Sequence, residues 1–523
     1  MKDLILHKHL FNSTPAYILL ILIFISTPTS FSQEAQEIFS EEKFMERYNL
    51  RHTKNPKFSF YSNSINKMSL KTLSNFYRIG FNSLDSIDYK YITWEEKRKF
   101  WFAVLELGIV EFIPWALARW GRDWEDPKDN WAKITPETIW RNISQGWVYD
   151  GDNFLTNNFA HPYHGNLYFN VGRTNGYDFW ESSVWAFAGS AAWEYFGETF
   201  RPAINDWVAT SINGINLGEM LYRLSSVVTD NTASGSKRFF QEVGGTLLNP
   251  VRGINRLISG ESSRIFPNNK ESGPESFTTI FNAGIRRWVT NYDTPSQKDL
   301  NEGFLSVSLI YGNLFTGNIR EPFSSFNVSA VLSTGSPSLT NLQSFGNLYG
   351  WNLVKKKRTR HILLLSLNYN YFNNPDFIYG GTSVTPHLLS VLGVGKETNL
   401  FTNIGIDLIA MGATPTDYYE DVEGRNYDFG PGIGINLGAS INKGVWNIVR
   451  FFYSSKWIWT QSEPSDSKHH LHFAWLDFEF PLSKYYAFSL GTGVYWRNSV
   501  YKYESDVNKT TPVVRILIKA ALF

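Results

Sequence analysis

The sequence predicts an α+β membrane protein, in which a helical N-terminal domain is followed by an antiparallel transmembrane β-barrel of about 12 strands. Two observations predict this fold. Apolar residues recur at helical spacing between positions 93 and 260, and from about position 277 they alternate with small or polar residues at a period of two. The 523 residues suffice for two sizeable units, and the 16% aromatic content with 39 glycines is typical of aromatic girdles and tight turns.

The charge balance and the cysteine count exclude several functions. Lys and Arg total 49 against 48 Asp and Glu, so the chain has no basic excess and we expect no nucleic-acid partner. Cysteine is absent, which excludes disulfides, thiolate chemistry and a lipoprotein anchor.

The first 32 residues have the features of an export signal. A short basic stretch precedes the apolar run Ala16–Ser26, and Ser30 and Ser32 supply small residues at the cleavage spacing. A retained anchor is the alternative, but the run is too short for an ordinary spanning helix. We therefore predict a signal peptide at 1–32, followed by a polar, poorly ordered periplasmic leader at 33–92.

Residues 93–260 are predicted to form a helical domain. Its first helix, which ends near Trp120, is apolar on nearly all sides and is therefore expected to be buried. Gly214 and Gly218, four positions apart, give a later helix a surface that another backbone can approach closely. A linker rich in Ser, Asn, Gly and Pro, 261–276, ends the domain.

Residues 277–523 alternate as barrel strands do. In Val449–Trp459, Phe451 and Trp457 fall on one face and Lys456 falls on the other. We expect the bulky face to meet lipid and the small or polar face to line an enclosed interior. A soluble all-β domain is the alternative, but such continuous apolar faces are unusual on a water-exposed surface.

The C-terminus supports the barrel. The chain ends on Phe523 after the apolar run Val513–Leu522, which Lys519 interrupts. A terminal aromatic residue resembles the assembly signal of outer-membrane barrels. The resemblance implies that the barrel-assembly machinery is a partner during biogenesis.

The middle of the chain resembles a known family. The residues that carry the resemblance are His161-Pro162-x-His164-Gly165, Trp193-Glu194, Glu198, Asp206, Gly218-Glu219, Arg223 and Asn249-Pro250-Val251-Arg252-Gly253. They are similar to an uncharacterised Gram-negative envelope family that is known only as a domain of unknown function. The similarity covers roughly Trp94–Gly260 and implies no activity.

Two carboxylates share one face of a predicted helix. Glu194 and Glu198 are four positions apart, and like charges at that spacing repel. A shared proton, a basic partner or a metal would relieve the repulsion. The alternative is a solvent-facing stripe or an ion pair with Arg173 or Arg201.

On the next helix, Asp206 begins a second polar stripe. Glu219 and Arg223, also four apart, predict a structural ion pair.

Two histidines precede these helices. His161 and His164 are three positions apart beside Pro162 and Gly165. With nearby carboxylates they could act as acid and base, or bind a divalent cation. The alternative is a pair of inert, hydrogen-bonded core histidines. The candidate catalytic residues are therefore His161, His164, Glu194, Glu198 and Asp206, and no cofactor beyond that metal is predicted.

Three functions fit these features. The first is a gated pore or transporter of the outer membrane, with the helices plugging the lumen or capping its periplasmic mouth. The second is a scaffold for other envelope components. The third is a hydrolase that acts on lipid or glycolipid through the Glu/His site. Whether the protein is an enzyme stays open, and outer-membrane lipid is the predicted partner.

Overall fold

The fold was determined as a computed structural model. It describes residues 98–121, 130–149, 151, 154–375, 377–419, 425–462 and 466–523. The predicted signal peptide and periplasmic leader lie outside the described residues. From Lys99 onward, the described helices and strands belong to one compact unit.

The region before the barrel is helical, as predicted. The helices are α1 Phe100–Ala116, α2 Pro136–Gln145, α3 His161–Arg173, α4 Phe179–Phe196, α5 Ile204–Val208, α6 Gly214–Val228, α7 Gly235–Leu248 and α8 Pro250–Ile258. Short π-helical turns extend α1 and connect α5 to α6. Asp178 begins α4 with a capping box, in which its carboxylate accepts from the Glu181 amide at 2.8 Å.

Helix α1 is exposed, so the prediction that it is buried is wrong. Ala103 is its one buried residue, while Trp101 is 79% exposed and Leu105 61% exposed. A helix that is apolar on all sides must be covered by something, but the pattern does not say whether protein or lipid covers it.

The barrel has twelve antiparallel strands and is closed, which confirms the predicted strand number and type. The strands are β1 Phe277–Thr290, β2 Lys298–Tyr311, β3 Phe326–Ser333, β4 Leu339–Lys355, β5 Thr359–Asn374, β6 Phe377–Gly393, β7 Thr398–Pro415, β8 Tyr427–Lys443, β9 Trp446–Trp459, β10 Ser467–Pro481, β11 Tyr486–Tyr501 and β12 Val507–Leu522. Strand β1 pairs with β12, from Thr279 opposite Leu522 to Trp288 opposite Val513.

Contacts between distant strands identify the inner face of the barrel. The rings of Phe372 on β5 and Phe473 on β10 are 5.3 Å apart, and those of Phe377 on β6 and Tyr495 on β11 are 4.7 Å apart. Such contacts can form only across the interior. The other face carries exposed apolar side chains, including Ile404, and is the outer wall.

Where no helix covers the barrel, bulky side chains point outward and polar ones inward, as predicted. Phe451 and Trp457 point outward and are 44% and 42% exposed, whereas Lys456 points inward and is buried. The interior nevertheless contains large aromatic residues, not only the small ones expected there.

Residues of the barrel itself enter the lumen near both ends. Near one end, a cluster of aromatic and aliphatic side chains packs across it: Trp288, Phe372, Phe377, Tyr379, Ile458, Leu471, Phe473, Tyr495 and Val513. At the other end, the β2–β3 connection 312–325 folds inward, and Ile319 packs with Ile362 and Leu389 on the inner wall. Arg360 holds this connection by donating to the Phe315 carbonyl at 2.5 Å.

The helices pack against the outside of the barrel. The register places Leu305, Leu309 and Tyr311 of β2 on one face, and Leu305 is 50% exposed while Leu309 is fully buried. Helical residues including Phe169 and Met220 form one core with this part of the wall. The prediction that the helices plug the lumen or cap its mouth is therefore wrong, because they cover the barrel's side.

This packing extends over the height of the wall. Near one end, the rings of Tyr149 and Phe429 are 5.5 Å apart. Near the other end, Arg223 of α6 donates to Glu321 of the β2–β3 connection at 3.2 Å. Between them, the Asn158 carbonyl accepts a hydrogen bond from the Tyr369 hydroxyl.

Candidate functional site

The predicted site residues gather where α1, α3, α4 and α5 meet. The Nε2 atom of His161 is 3.6 Å from Oδ2 of Asp206. The ring of His164 is 5.2 Å from the ring of Trp193, the residue before Glu194. Glu194 and Glu198 both lie close enough to Tyr168, which follows His164 by one helical turn, to interact with it electrostatically. The structure thus brings all five candidates into one neighbourhood.

Two glycines allow this arrangement. A Cβ atom on Gly165 of α3 would lie 1.8 Å from the Thr210 carbonyl oxygen, and one on Gly214 would lie 2.4 Å from the Gly165 carbonyl carbon. The two backbones therefore touch, which confirms Gly214 as part of a close-approach surface. Gly218 packs in the same way against the Phe169 ring. Because α3 lies so close to the α5–α6 segment, His161 can reach Asp206.

Glu194 is buried and has a structural partner. The residue is 2% exposed, and its Oε2 atom accepts a hydrogen bond from the Ala203 amide at 2.7 Å. The two arginines considered as ion-pair partners bond elsewhere: Arg173 donates to Glu219 at 2.8 Å, and Arg201 donates to the Gln145 carbonyl at 2.6 Å. Glu194 is therefore not on a solvent-facing stripe.

Two further residues belong to the site and were not predicted. The Tyr168 hydroxyl donates to Oε2 of Glu111 at 2.7 Å and lies 3.4 Å from Nδ1 of His164. The other oxygen of Glu111 is buried and has no hydrogen-bond partner among the described residues. The available signal was an acidic residue within the apolar helix α1, since a carboxylate there needs a compensating contact.

Glu111 also lines a recess in the surface of the helical region. The recess has a volume of about 300 Å³. Its walls are mostly apolar and include Phe112, Trp115, Trp193 and Phe196. A polar group in the lining of an apolar recess is a common arrangement for holding an amphipathic molecule.

The arrangement suits proton transfer better than metal binding. Within the described ranges, no group of three or more His, Asp or Glu side chains is placed to hold a metal ion. Histidine beside aspartate, and tyrosine beside glutamate, are pairs through which a proton can move.

A second polar cluster, formed by Arg173, Glu219, Arg223 and Glu321, links the helices to the barrel. Glu219 is fully buried and accepts from Arg173 and from Arg223, each at 2.8 Å. The ion pair predicted between Glu219 and Arg223 is thus confirmed. Burial of these charges is tolerable because each has a charged partner.

The inner wall of the barrel is lined by paired charges. Asp407 accepts from Lys456 at 2.5 Å and from Thr385 at 2.6 Å. Asp477 accepts from Arg450 and Arg515, each at 2.7 Å. The interior is therefore polar below the aromatic cluster, as in barrels that enclose water.

An ion-paired loop lies at one end of the barrel, after β7. Burial raises the pKa of Asp417, but Arg497 and Lys509 outweigh that effect, so its pKa lies below the usual range. Arg497 donates to both carboxylate oxygens at 2.7 Å, and Lys509 donates at 2.8 Å. These bonds attach the loop to β11 and β12.

Similar solved structures include the NanC porin, at 9% identity and a TM-score of 0.23, covering 45% of this chain and 98% of that chain. The KdgM porin is similar at 8% identity and a TM-score of 0.23, with coverage of 46% and 99%. An anion-selective porin from Comamonas acidovorans is similar at 10% identity and a TM-score of 0.20, with coverage of 47% and 99%.

No curated protein matches the sequence. The resemblance noted from the sequence is confirmed over a narrower range than expected. Residues 146–251, which contain α3 to α7 and all five predicted site residues, match the family described as Domain of unknown function (DUF3943).

Proposed function

We propose that this chain is an outer-membrane barrel whose lumen is a gated conduit, closed in the state described. The observation that carries the proposal is the combination of a polar, ion-paired inner wall with an aromatic cluster that joins opposite strands across it. The paired charges would allow water and ions to occupy the lumen, and the aromatic cluster would block their passage through it.

The outer wall and the turns support the membrane location. Ile404, Ile435 and Ile516, on three different strands, are 52%, 48% and 47% exposed, which suits a surface in contact with lipid. Four of the five turns at the end where β1 begins are short: 356–358, 394–397, 444–445 and 482–485. The fifth, 312–325, is the one that enters the lumen, and five of the six connections at the opposite end have at least five residues: 291–297, 334–338, 416–426, 460–466 and 502–506. Outer-membrane barrels have short periplasmic turns, so the turn lengths favour placing the end where β1 begins in the periplasm.

The gate would have two parts. The aromatic cluster closes one end, and the β2–β3 connection 312–325 fills the other. That connection is held by side-chain contacts, including the Asn347 amide, which donates to the Glu321 carbonyl at 2.8 Å, and Ile319, which packs on the inner wall. Breaking these contacts would leave the barrel hydrogen bonds intact, so the connection can move without unfolding the wall.

Conductance in a planar bilayer tests the proposal. We expect the unaltered protein to be electrically silent, and the double variant Phe372→Ala/Phe473→Ala to conduct, because it removes two rings that meet across the lumen. Phe451→Ala is the matched control, since that ring is on the outer wall. If the double variant folds as a barrel and stays silent, the aromatic cluster alone is not the gate, and adding Arg360→Ala, which frees the β2–β3 connection, decides the matter. A folded triple variant that is still silent rejects the conduit and leaves a closed scaffold.

One observation favours a second function. The five predicted site residues converge with Glu111 and Tyr168 beside an apolar recess, which fits a hydrolase acting on lipid or glycolipid. Such an enzyme would add water across an ester bond, with His161 and the carboxylates taking and returning the proton.

Lipid composition tests this second function. Membranes carrying the unaltered protein should differ in lipid profile from those carrying Glu111→Gln or His161→Ala. Glu261→Gln is the control, because that carboxylate pairs with Arg256 away from the recess. Identical profiles for all four proteins would remove the hydrolase.

A further inference from the structure

The polarity of the helical region is inverted relative to a soluble protein. Its interior contains many polar residues that are at most 6% exposed: Asn166, Asn170, Asn175, Ser182, Glu194, Asp206, Asn216, Glu219, Arg223, Ser225, Asn249, Arg252 and Arg256. Its surface carries large apolar residues that are at least 49% exposed: Phe100, Trp101, Leu105, Phe112, Ile113, Leu117, Trp120, Trp140, Ile143, Trp180, Val184, Phe196, Phe200, Phe239, Phe240, Leu247, Ile254, Leu257 and Ile258. Water would oppose this distribution, and hydrocarbon would favour it.

Helix α1 has the dimensions of a membrane span. Together with its π-helical extension it runs from Phe100 to Gly121, with a mean hydropathy of 1.7 and only 6% of its most apolar stretch buried. Trp101 and Trp120 mark its two ends and are about 28 Å apart along the axis at the usual helical rise. The hydrocarbon core of a bilayer is about 30 Å thick, and tryptophan is enriched at both of its interfaces. Basic residues Arg98 and Lys99 precede the helix.

The opposite face of the helical region packs against the barrel, which fixes its position. It covers part of the outer wall from β2 to β8, where Leu309 and Phe326 are at most 1% exposed. The uncovered outer wall is apolar and is the surface that the proposed function assigns to lipid. The helical region packs against the covered part of the same barrel over most of the barrel's height. It must therefore lie at the level of the bilayer that surrounds the uncovered part.

The part of the outer wall that the helices cover is more polar than the uncovered part. Its outward residues include Ser344 and Thr382, whose hydroxyls donate to Asn216 and Asn213 of the helical region. Polar groups on an outer wall would be costly in lipid, and here the helices satisfy them.

We infer that the helical region lies in the hydrocarbon core of the membrane, alongside the barrel, and that lipid acyl chains cover its exposed face. The inference rests on the proposed membrane location of the barrel. The helices satisfy their own backbone hydrogen bonds, and the buried charges, such as Glu219 with Arg173 and Arg223, pair inside the bundle. The protein would then combine a membrane barrel with membrane-embedded helices in one chain.

Site-directed spin labelling of the full chain in lipid vesicles tests the inference. The protein contains no cysteine, so single substitutions give unique labelling sites. Leu105→Cys and Leu257→Cys report on the helices, Ile404→Cys reports on the uncovered wall, and Asp293→Cys reports on a turn. Accessibility is measured to oxygen, which concentrates in hydrocarbon, and to a water-soluble nickel chelate.

We expect the two helical positions to match Ile404→Cys, with an oxygen-to-nickel ratio several-fold above that of Asp293→Cys. If Ile404→Cys has the lipid signature while the helical positions contact the nickel chelate, the helices are in water and the inference is overturned. If the helical positions are shielded from both reagents, a protein partner or second copy covers them, which also overturns it. If Ile404→Cys itself contacts the nickel chelate, the proposed membrane barrel fails first.

Discussion

Asn216 accepts a hydrogen bond from the Ser344 hydroxyl at 2.9 Å, and this contact attaches helix α6 to the outer wall of the barrel. Its side-chain amide also donates to the Leu367 carbonyl at 3.2 Å. Asn216 is fully buried, so its loss would leave the Ser344 hydroxyl without its acceptor in a site that excludes water.

We predict that Asn216→Leu destabilises the attachment of the helices by about 1–3 kcal/mol, the usual cost of an unsatisfied buried polar group. The measurement is the denaturant midpoint for loss of helical circular dichroism in detergent. Asn498→Leu is the control, because the Asn498 side chain bonds to Asn508 on an exposed part of the barrel. Equal midpoints for the two variants would contradict the assigned role of Asn216.

The close contact between α3 and the α5–α6 segment gives a second prediction. Gly165→Ala would place a methyl group 1.8 Å from the Thr210 carbonyl oxygen, so the two segments must separate. We expect a loss of about 1–3 kcal/mol, or more if the backbone cannot shift. The denaturant midpoint for loss of helical circular dichroism measures this loss of stability.

Gly108→Ala is the matched control. Gly108 is also helical, but an added Cβ there would meet nothing within 4 Å. That substitution should stabilise the helix slightly, by up to about 1 kcal/mol, because alanine has the higher helix propensity. Destabilisation by Gly108→Ala to the same extent would show that the close contact is not the cause.

The buried charge cluster gives a third prediction. Glu219→Gln removes the carboxylate shared by Arg173 and Arg223, leaving two buried guanidinium groups without it. We expect a loss of about 3–5 kcal/mol, as when one partner of a buried pair is removed. The exposed pair Arg287–Asp299 provides the control: Asp299→Asn should cost no more than about 1 kcal/mol. A similarly small effect at Glu219 would show that the cluster is well hydrated.

The barrel could be predicted from the sequence because its signal is local. Ile433 and Ile435 alternate with glycine and asparagine within one strand, and their outward direction follows from that period alone. The surroundings of α1 could not be predicted in this way. A helix that is apolar on all sides has the same pattern whether protein or lipid covers it, and only the tertiary structure distinguishes the two.

The candidate site was partly predictable for a similar reason. His161 and His164, like Glu194 and Glu198, are recognisable as pairs on one helix. Glu111 is 57 positions from Tyr168, and their hydrogen bond depends on how α1 packs against α3. The position of the helices outside the barrel also depends on long-range contacts. Polar outward residues such as Ser344 were the one available sign that part of the wall is covered.

The ion-paired loop after β7 gives a prediction about pH. Since Arg497 and Lys509 hold the pKa of Asp417 below its unfolded value, the charged form favours the folded loop. Its stabilising effect is complete above the unfolded pKa, which is about 4 for aspartate, and it is lost as the pH falls through the lower folded pKa.

We therefore expect cleavage next to Asp417 by an acid-stable protease to become faster as the pH falls below about 4, the unfolded value for aspartate. Asp417→Asn should be cleaved faster than the unaltered protein at neutral pH, because Arg497 and Lys509 then lack their anionic partner. Its added susceptibility should shrink toward acid pH, where the unaltered carboxyl is also neutral. The difference between the two proteins isolates Asp417 from other groups that titrate in the same range. A difference that stays constant between neutral and acid pH would show that the charge of Asp417 does not hold the loop.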